Sequence, residues 1–482
     1  MEKDRLLKLV EAYQEHFKQY NRPDYNETEV RNDFVNPFFE ILGWDVQNKK
    51  NLPQHLREVK HEASVFVEEN GKQVKKKPDY EFHVGSTPYF FLETKKPNVD
   101  IMTSKEAAFQ TRRYGWNGNL EISVLSNFTD LVIYDTSVRP EENDKPSVAQ
   151  VAHFHFTEYV DKFDEISRLL SYETVISGDF EKTFANISSS LKKEPFDKYF
   201  LSQIKKWRLV LSKDIIKHNS IVKQGTLNIF VQKLINRIVF LRICEDRELE
   251  KYESLKNIGT YAELKRVFVA ADKKYDSGLF ELIEAEQFEI SDSILVDIFK
   301  ELYYPNSCYE FSIVDPFIIG QIYELFLEEE IVIKDGIVVA ERKPEIVDSQ
   351  GVVNTPKNIA DIIVKTTLAP LFSDEKFTEW DSYRIADICC GSGNFLLSAY
   401  EFIINRYIEY YMKNSLDMAI QKGLLISDVG NNFKLSYEKK REILRNNIWG
   451  VDIDILAVEV AKFSLLIKLI EDSSLYEMES FV

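Results

Sequence analysis

The sequence predicts an α/β protein built from three successive parts. Residues 1–158 combine helical patterns with alternating apolar strands, which is typical of a mixed-sheet domain. Residues 159–344 show mainly helical periodicity, so we expect an all-helical connector. From residue 345 the pattern returns to a strand, a glycine-containing turn and a helix, which predicts the first part of a second α/β domain. A chain of 482 residues has room for about two to four domains of ordinary size.

Composition restricts the class of protein. The formal net charge is −18, so any contact with nucleic acid must come from local basic patches. Neither the sequence start, M-E-K-D-R-L-L-K, nor any later apolar run resembles a signal peptide or a membrane span. The four cysteines lack zinc-ligand spacing. We therefore expect a reduced, soluble, cytoplasmic protein that has no membrane partner.

The individual elements follow from local patterns. Within the first part, residues 27–43 have helical periodicity, and apolar alternation predicts strands at 79–84, 89–95, 122–125 and 131–134. In the connector, one apolar helix face is formed by Leu227, Phe230, Leu234, Ile238 and Leu241. Residues 332–353 favour strand and loop.

Two strands of the first part place acidic and basic side chains together. Glu93 and Lys95 are two residues apart, so they share one face of their strand. A five-residue loop at 85–89 would put Asp79 opposite Lys95 on that face, whereas a four-residue loop would put it on the other face. A shared site thus requires the longer loop or a bulge. Asp79 and Glu93 could then hold Mg²⁺ through oxygen ligands, while Lys95 steadies the attacking water or the developing anion. The alternative is an ordinary hairpin that carries a surface Glu–Lys pair.

Two helices could complete this set. Glu27 precedes the helix V-R-N-D-F-V-N-P-F-F and could bring a third acid to the metal, with Glu29 as its rival. The simpler interpretation of Glu27 is an i,i+4 pair with Arg31. Further along, Gln110 and Tyr114 of Q-T-R-R-Y fall on one helix face.

The order E-x-x-x-R, P-D, E-T-K and Q-x-x-x-Y resembles a PD-(D/E)xK nuclease domain, particularly the N-terminal nuclease of type I and type IIG restriction enzymes. The resemblance implies a Mg²⁺-dependent endonuclease. Its catalytic residues would be Asp79, Glu93, Lys95, Glu27 and Gln110, and Asp79 and Glu93 would be the metal ligands.

A second set of residues lies in the last part of the chain. An apolar strand ends at Asp387, and Gly391 and Gly393 precede a helical run, so backbone could approach a ligand closely. Another strand ends near Asp452, where an acid could accept hydrogen bonds from ribose hydroxyls. Leu396 stands where the dinucleotide pattern G-x-G-x-x-G has its third glycine. The alternative is a generic α/β turn. We expect helices at 395–411 and 437–445 to fill the long interval between the two acids.

The strings D-I-C-C-G-S-G-N-F-L and W-G-V-D-I-D resemble motifs I and II of the adenine-N6 DNA methyltransferases in type I and type IIG systems. The string G-V-V-N-T-P-K-N-I-A-D-I-I-V, which begins at Gly351, resembles their motif X. The resemblance implies a Rossmann-like domain that binds S-adenosyl-L-methionine. Thr355, Asp387, Gly391 and Gly393 would contact the methionine end, and Asp452 would hold the ribose. The connector also resembles type IIG enzymes, so the resemblance covers nearly the whole chain.

One motif of that family is missing. Its catalytic N-P-P-Y, which receives the flipped adenine, occurs nowhere in the sequence, and N-P-F-F at Asn36 fits a core helix better. We therefore expect an incomplete methyltransferase that does not methylate DNA as this chain alone. The predicted protein is a restriction–modification endonuclease that acts on double-stranded DNA. The alternative is a non-catalytic DNA- or cofactor-binding subunit. It would work with a partner chain that carries N-P-P-Y and a target-recognition domain.

Overall fold

The computed structural model describes residues 2–61, 66–69, 72–75, 77–185, 192–275, 277–281, 287–334, 336–343, 355–428 and 432–473. They form two compact units, Met1–Phe196 with Cys308–Ile313, and Asp197–Ser307 with Val314–Val482. This division splits the predicted connector between the two units. The boundaries at residues 158 and 344 remain a prediction from sequence. No helix within the described ranges is both long and apolar enough to span a membrane.

The first unit contains a mixed six-stranded sheet. Its order is β1-β4-β5-β6-β7-β8, in which β5 and β6 run parallel and the other neighbours are antiparallel. A separate hairpin is formed by β2 and β3. The strands are β1 Val59–His61, β2 Phe66–Glu69, β3 Lys72–Lys75, β4 Tyr80–Val84, β5 Thr87–Thr94, β6 Ile122–Ser126, β7 Asp130–Asp135 and β8 Gln150–His155. The four strands predicted from alternation are therefore present, each within about two residues of its expected bounds.

Aromatic side chains pack the helices of this unit onto the sheet. The rings of Phe82 on β4 and Phe90 on β5 stack with centroids 4.4 Å apart, and Phe39 lies 4.7 Å from Phe82. Trp44 donates a hydrogen bond from Nε1 to the carbonyl of Leu170 at 2.8 Å. The helices are Glu2–Glu15, Phe17–Tyr20, Glu27–Val30, Asn36–Ile41, Lys105–Asn117, Phe163–Leu170, Tyr172–Ile176 and Asp179–Ala185. This packing fixes β4 and β5, which carry the predicted acids.

The helical pattern predicted for residues 27–43 is present from Glu27 to Ile41, with one irregularity, and residues 42 and 43 form a turn. A π-helical turn, Arg31–Val35, separates the helices Glu27–Val30 and Asn36–Ile41. Asn36 is buried, and its Oδ1 accepts a hydrogen bond from the Tyr80 hydroxyl at 2.7 Å. The core-helix interpretation of N-P-F-F is therefore confirmed.

The second unit is mostly helical in its first half. Its helices there are Phe196–His218, Gln224–Asp246, Tyr261–Tyr275, Asp292–Glu301 and Pro316–Leu327. The all-helical connector is nevertheless wrong, because β9 Glu329–Lys334 and β10 Ile337–Arg342 form an antiparallel hairpin. Their β-branched residues favour a strand, and Gly336 adopts a φ of +77° in the turn. The strand pattern noted from residue 332 belongs to this hairpin, and residues 344–354 lie outside the described ranges.

A parallel pair of strands lies at the centre of the predicted cofactor region. β11 Ile385–Asp387 pairs with β14 Ile448–Gly450, and β12 Leu425–Asp428 forms a hairpin with β13 Asn432–Leu435. The helices are Lys357–Leu368, Asn394–Asn414, Leu416–Gln421, Tyr437–Asn447 and Ile455–Leu469. Both helices expected between Asp387 and Asp452 are therefore present. The β12–β13 hairpin was not predicted.

Candidate functional site

The β4–β5 hairpin brings the predicted acidic residues to one face. Tyr80 lies opposite Leu92, but the register shifts by one residue between Phe82 and His83. Asp79 immediately precedes β4, so it falls opposite Glu93 and on the same face. Without the shift, the pairing next to the turn would place Asp79 on the other face. The predicted bulge is therefore present.

Of the two arrangements that the sequence left open, the structure has the bulge and not the five-residue loop. Val84 pairs with Thr87, so only Gly85 and Ser86 form the turn. Gly85 has a φ of +61°, a conformation that glycine adopts without strain. The extra residue lies inside β5, next to Pro88, which has no N–H to donate to a ladder. The bulge and the tight turn together place Asp79 on the same face as Glu93. The longer loop was expected to have the same effect.

Hydrogen bonds from Thr94 and Arg31 hold the carboxylate of Asp79. Its Oδ2 accepts from the backbone N–H of Thr94 at 2.7 Å and from the Thr94 hydroxyl at 2.5 Å. Its Oδ1 accepts from Nη1 of Arg31 at 3.2 Å. The Asp79 side chain is only 2% exposed, so these donors replace water around the charge. Arg31 therefore pairs with the Asp79 carboxylate across the fold, and its Nε donates to the backbone carbonyl of Glu27 at 3.3 Å. The i,i+4 contact considered for Glu27 thus involves its backbone oxygen.

Lys95 connects Glu93 to the helix Lys105–Asn117. Its Nζ donates to Oε1 of Glu93 at 2.7 Å and to Oε1 of Gln110 at 3.1 Å. Nε2 of Gln110 in turn donates to the Tyr114 hydroxyl at 2.9 Å. Burial alone would lower the pKa of Lys95, but the charges of Glu93, Glu27 and Asp79 raise it above its usual value. Lys95 is therefore a charged donor among carboxylates.

Glu27 and Glu29 have different surroundings. The carboxylate of Glu29 accepts from the Asn26 backbone N–H at 2.7 Å, and Asn26 in turn caps the N–H of Glu29, which forms a capping box. Glu29 is exposed, whereas Glu27 is half-buried and its charge acts on Lys95. The structure thus brings Glu27 toward the predicted set, and Glu29 serves the helix terminus.

The donor set at this face fits a hard divalent cation. Asp79 and Glu93 supply carboxylate oxygens from two almost fully buried side chains. Mg²⁺ is commonly bound by one or two carboxylates, with water and substrate phosphate as its other ligands. Within the described parts of the chain, no three His, Cys, Asp or Glu side chains are grouped to hold a metal ion by themselves. A metal here would therefore depend on water and substrate for further ligands.

The sequence did not identify two residues of this face, Thr94 and Arg31. Thr94 is the middle residue of E-T-K, and its backbone and hydroxyl both hold Asp79. Arg31 appeared in the E-x-x-x-R string and as a helix neighbour of Glu27, but no contact with Asp79 was predicted for it. The expected burial of Asp79 could have indicated them, because a buried carboxylate normally accepts hydrogen bonds from neighbouring donors.

The second set of predicted residues surrounds a turn between β11 and the helix Asn394–Asn414. Gly391 and Gly393 have φ angles of +52° and +89°. The N–H of Gly391 donates to Oδ2 of Asp452 at 2.9 Å, and that of Cys389 donates to Oδ1 of Asp387 at 3.1 Å. Asp387, Gly391, Gly393 and Asp452 are therefore brought together, because β11 and β14 are parallel neighbours that end on the same side.

The two glycines have different surroundings. A Cβ built on Gly393 would lie 2.9 Å from the Cβ of Ala461, so helix packing requires the absence of a side chain there. A Cβ on Gly391 would meet only Oε1 of Glu324, at 4.0 Å. Among the described residues, the position that a Gly391 side chain would occupy is otherwise open, so a ligand could approach the backbone there.

Thr355 lies two residues before the helix Lys357–Leu368 and is half-buried. Lys357 fixes the start of this helix, because its Nζ pairs with Asp315 at 3.2 Å and with Glu401 at 3.4 Å. The preceding residues of the motif X string, 351–354, lie outside the described ranges. The role of Thr355 as a cofactor contact remains a prediction.

Comparisons with known proteins match both regions. Residues 24–142 match the family described as type I restriction enzyme R protein N terminus, and residues 316–480 match the N-6 DNA methylase family. The chain is 40% identical over 478 residues to the type II restriction enzyme and methyltransferase RM.Eco57I of Escherichia coli. That alignment covers 97% of this chain and 47% of the relative.

Two further matches are more distant. The putative type II restriction enzyme and methyltransferase RM.MjaORFECS2P of Methanocaldococcus jannaschii is 25% identical over 317 residues, which cover 50% of this chain and 25% of that protein. A solved structure, the cryoEM structure of a DrdV–DNA complex, matches with a TM-score of 0.33 and 13% identity. It covers 97% of this chain and 39% of that one. The chain spans about half or less of the length of the curated relatives that it matches. By these matches the chain is similar, over nearly its whole length, to about half of the type II restriction enzyme and methyltransferase RM.Eco57I. Its earlier match is to the type I restriction enzyme R protein N terminus family, and its later match is to the N-6 DNA methylase family.

Proposed function

We propose that the first unit is a Mg²⁺-dependent endonuclease of the PD-(D/E)xK type that cleaves double-stranded DNA. The observation that carries the proposal is the assembly of Asp79, Glu93, Lys95 and Gln110 on one face of the β4–β5 hairpin. Two buried carboxylates and a charged lysine suit phosphodiester hydrolysis, in which negative charge builds up on the phosphate.

Each residue of the proposed nuclease site would have a separate role. Asp79 and Glu93 would hold the metal, and Glu27 would add charge from the neighbouring helix. When bound, Mg²⁺ supplies Lewis-acid activation of water and neutralises charge on the phosphate. Lys95 would orient the attacking water or stabilise the developing anion, since its ammonium is already positioned by Glu93 and Gln110. Arg31 and Thr94 would keep Asp79 in place.

We further propose that the second unit contains the front of a Rossmann-like domain that binds S-adenosyl-L-methionine. Gly391 and Gly393 would let the backbone approach the methionine end, while Asp387 and Thr355 contact its polar groups. Asp452 would accept hydrogen bonds from the ribose hydroxyls. Because the sequence lacks N-P-P-Y, we expect cofactor binding without adenine methylation by this chain alone.

The test of the nuclease proposal is cleavage of unmethylated supercoiled plasmid across a Mg²⁺ series, with and without S-adenosyl-L-methionine. We expect cleavage that EDTA abolishes, and a loss of about 100-fold or more in Asp79→Asn and Glu93→Gln. Glu29→Gln is the matched control, because Glu29 is an acid on the adjacent helix that serves a capping box. Equal activity in all four proteins would reject the proposed site.

The second candidate function is a non-catalytic subunit that binds DNA or cofactor and requires a partner chain that supplies N-P-P-Y and a target-recognition domain. The net charge of −18 favours it, because non-specific DNA affinity comes mainly from Lys and Arg contacts with phosphate. A folded wild-type protein that binds S-adenosyl-L-methionine but leaves DNA intact at every Mg²⁺ concentration would support this candidate instead.

A further inference from the structure

Glu324 reaches the glycine turn from a helix that precedes the segment predicted from sequence at 345–482, although it lies within the 316–480 match to the N-6 DNA methylase family. It lies on the helix Pro316–Leu327, which the sequence placed in the connector. Its Oε2 accepts a hydrogen bond from the hydroxyl of Ser392 at 2.9 Å. Ser392 is buried and stands between the two glycines with positive φ, so its side chain points away from solvent and toward Glu324.

The other carboxylate oxygen of Glu324 borders the open side of Gly391. A Cβ built at Gly391 would lie 4.0 Å from Oε1 of Glu324. Apart from Gly391 and its two chain neighbours, the described residues place no other heavy atom within that distance. A ligand group that occupies this space would therefore lie within van der Waals or hydrogen-bond reach of the Glu324 carboxylate.

The charge around the turn suits a cation. Asp452 and Asp387 accept from the N–H groups of Gly391 and Cys389 at 2.9 and 3.1 Å. Burial raises the pKa of the Cys390 thiol to about 11, with further contributions from Asp452 and Asp387. S-adenosyl-L-methionine carries a sulfonium and an ammonium against one carboxylate, so a site that is rich in acids favours it.

We propose that Glu324 is a further residue of the cofactor site, and that its carboxylate faces the ammonium of the methionine end while Ser392 holds it in position. This inference rests on the proposed binding of S-adenosyl-L-methionine. It extends the site to a helix that precedes the three motif strings quoted in the sequence analysis. Glu324 would thereby distinguish ligands that carry an amino-acid end from those that lack it.

The experiment is isothermal titration calorimetry of the full chain with three ligands. S-adenosyl-L-methionine has the ammonium and the sulfonium, S-adenosylhomocysteine has only the ammonium, and 5′-methylthioadenosine has neither. We expect Glu324→Gln to weaken binding of the first two about tenfold or more and to leave the third unchanged. The control is Glu328→Gln, which removes one negative charge a turn further along, and we expect it to bind all three ligands like the wild type.

Each outcome has a distinct meaning. Equal weakening of 5′-methylthioadenosine would show that Glu324 only supports the turn, and weakening of S-adenosyl-L-methionine alone would place the carboxylate at the sulfonium. Either result, or unchanged binding, overturns the proposal and leaves cofactor binding intact. A folded wild type that binds none of the ligands overturns the proposed function itself.

If Glu324→Gln does not fold, Ser392→Ala replaces it. We expect this variant to weaken binding of only the two ligands that carry the ammonium. An equal loss of affinity for all three ligands would overturn the proposal.

Discussion

The amide oxygen of Gln110 accepts a hydrogen bond from the Lys95 ammonium at 3.1 Å, while the amide nitrogen of the same side chain donates to the Tyr114 hydroxyl at 2.9 Å. This arrangement fixes which way the amide points. Gln110 is therefore a positioning residue in our proposal, because it acts on the phosphate only through Lys95.

Removal of this contact should impair cleavage more than folding. We expect Gln110→Ala to lower the rate of DNA cleavage about 10–100-fold, the range seen when a supporting hydrogen bond is lost, while the free energy of unfolding changes little. The matched control is Glu106→Gln on the same helix, where the side chain is exposed. A Gln110→Ala protein with wild-type cleavage would contradict the assigned role.

Thr94 provides a test of how Asp79 is held. Thr94→Val removes the hydroxyl donor and keeps the shape and the backbone N–H, so one of the hydrogen bonds to a buried carboxylate is lost. We expect the free energy of unfolding to fall by about 1–3 kcal/mol and the Mg²⁺ requirement for cleavage to change. Thr94→Ser retains the hydroxyl and should keep the wild-type Mg²⁺ requirement, as measured by Mg²⁺ titration of cleavage. An identical Mg²⁺ dependence in the Val variant would argue against Asp79 as a metal ligand.

Alanine substitutions at the two glycines of the cofactor turn should impair the protein for different reasons. An alanine at either position adopts the left-handed region at a cost of about 1–2 kcal/mol. Gly393→Ala should lose about 1–3 kcal/mol more, because its Cβ would collide with Ala461. Gly391→Ala should remain folded but lose binding of S-adenosyl-L-methionine, since its Cβ enters the open space. Urea unfolding and calorimetry would separate the two effects, and Gly391→Ala binding at wild-type affinity would contradict the site.

Arg113 holds a distant segment in the first unit. Its guanidinium donates to the carbonyls of Cys308 and Tyr309 at 3.2 and 2.8 Å and pairs with the buried Glu310 at 3.3 Å. Arg113→Met would leave the Glu310 charge buried, and loss of one partner from such a pair costs about 3–5 kcal/mol.

The measurement is urea unfolding of Arg113→Met beside Lys105→Met, which changes an exposed lysine on the same helix and should stay within about 0.5 kcal/mol of the wild type. An Arg113→Met protein as stable as the Lys105→Met control would show that the 308–310 contacts do not stabilise the unit.

The local elements of both sites could be predicted from sequence because their signals are local. Alternation located β4 and β5, and the two glycines located the turn before the helix Asn394–Asn414. The condition that Asp79 must share a face with Glu93 also followed from strand geometry. The position of the bulge did not, because a tight Gly85–Ser86 turn and a shift inside β5 give the same parity as a longer loop.

Contacts between distant parts of the sequence could not be predicted in this way. Arg31 meets Asp79 across 48 positions, and Arg113 meets Cys308 across 195. The periodicity of the sequence does not predict these contacts, because they depend on how the elements pack in the folded chain. The same limit applies to Glu324. The sequence placed its helix in the connector, whereas in the structure its carboxylate accepts a hydrogen bond from Ser392.

The measurement that tests the central proposal most directly is cleavage of unmethylated supercoiled plasmid in Mg²⁺ by the wild-type, Lys95→Ala and Lys96→Ala proteins. Lys95 contacts Glu93 and Gln110, whereas Lys96 reaches only toward the Pro23 carbonyl at 3.5 Å. We predict that Lys95→Ala loses about 10²–10³-fold in cleavage rate and that Lys96→Ala retains most of it. Mg²⁺-dependent cleavage that survives in Lys95→Ala would contradict the assignment of this face as the nuclease site.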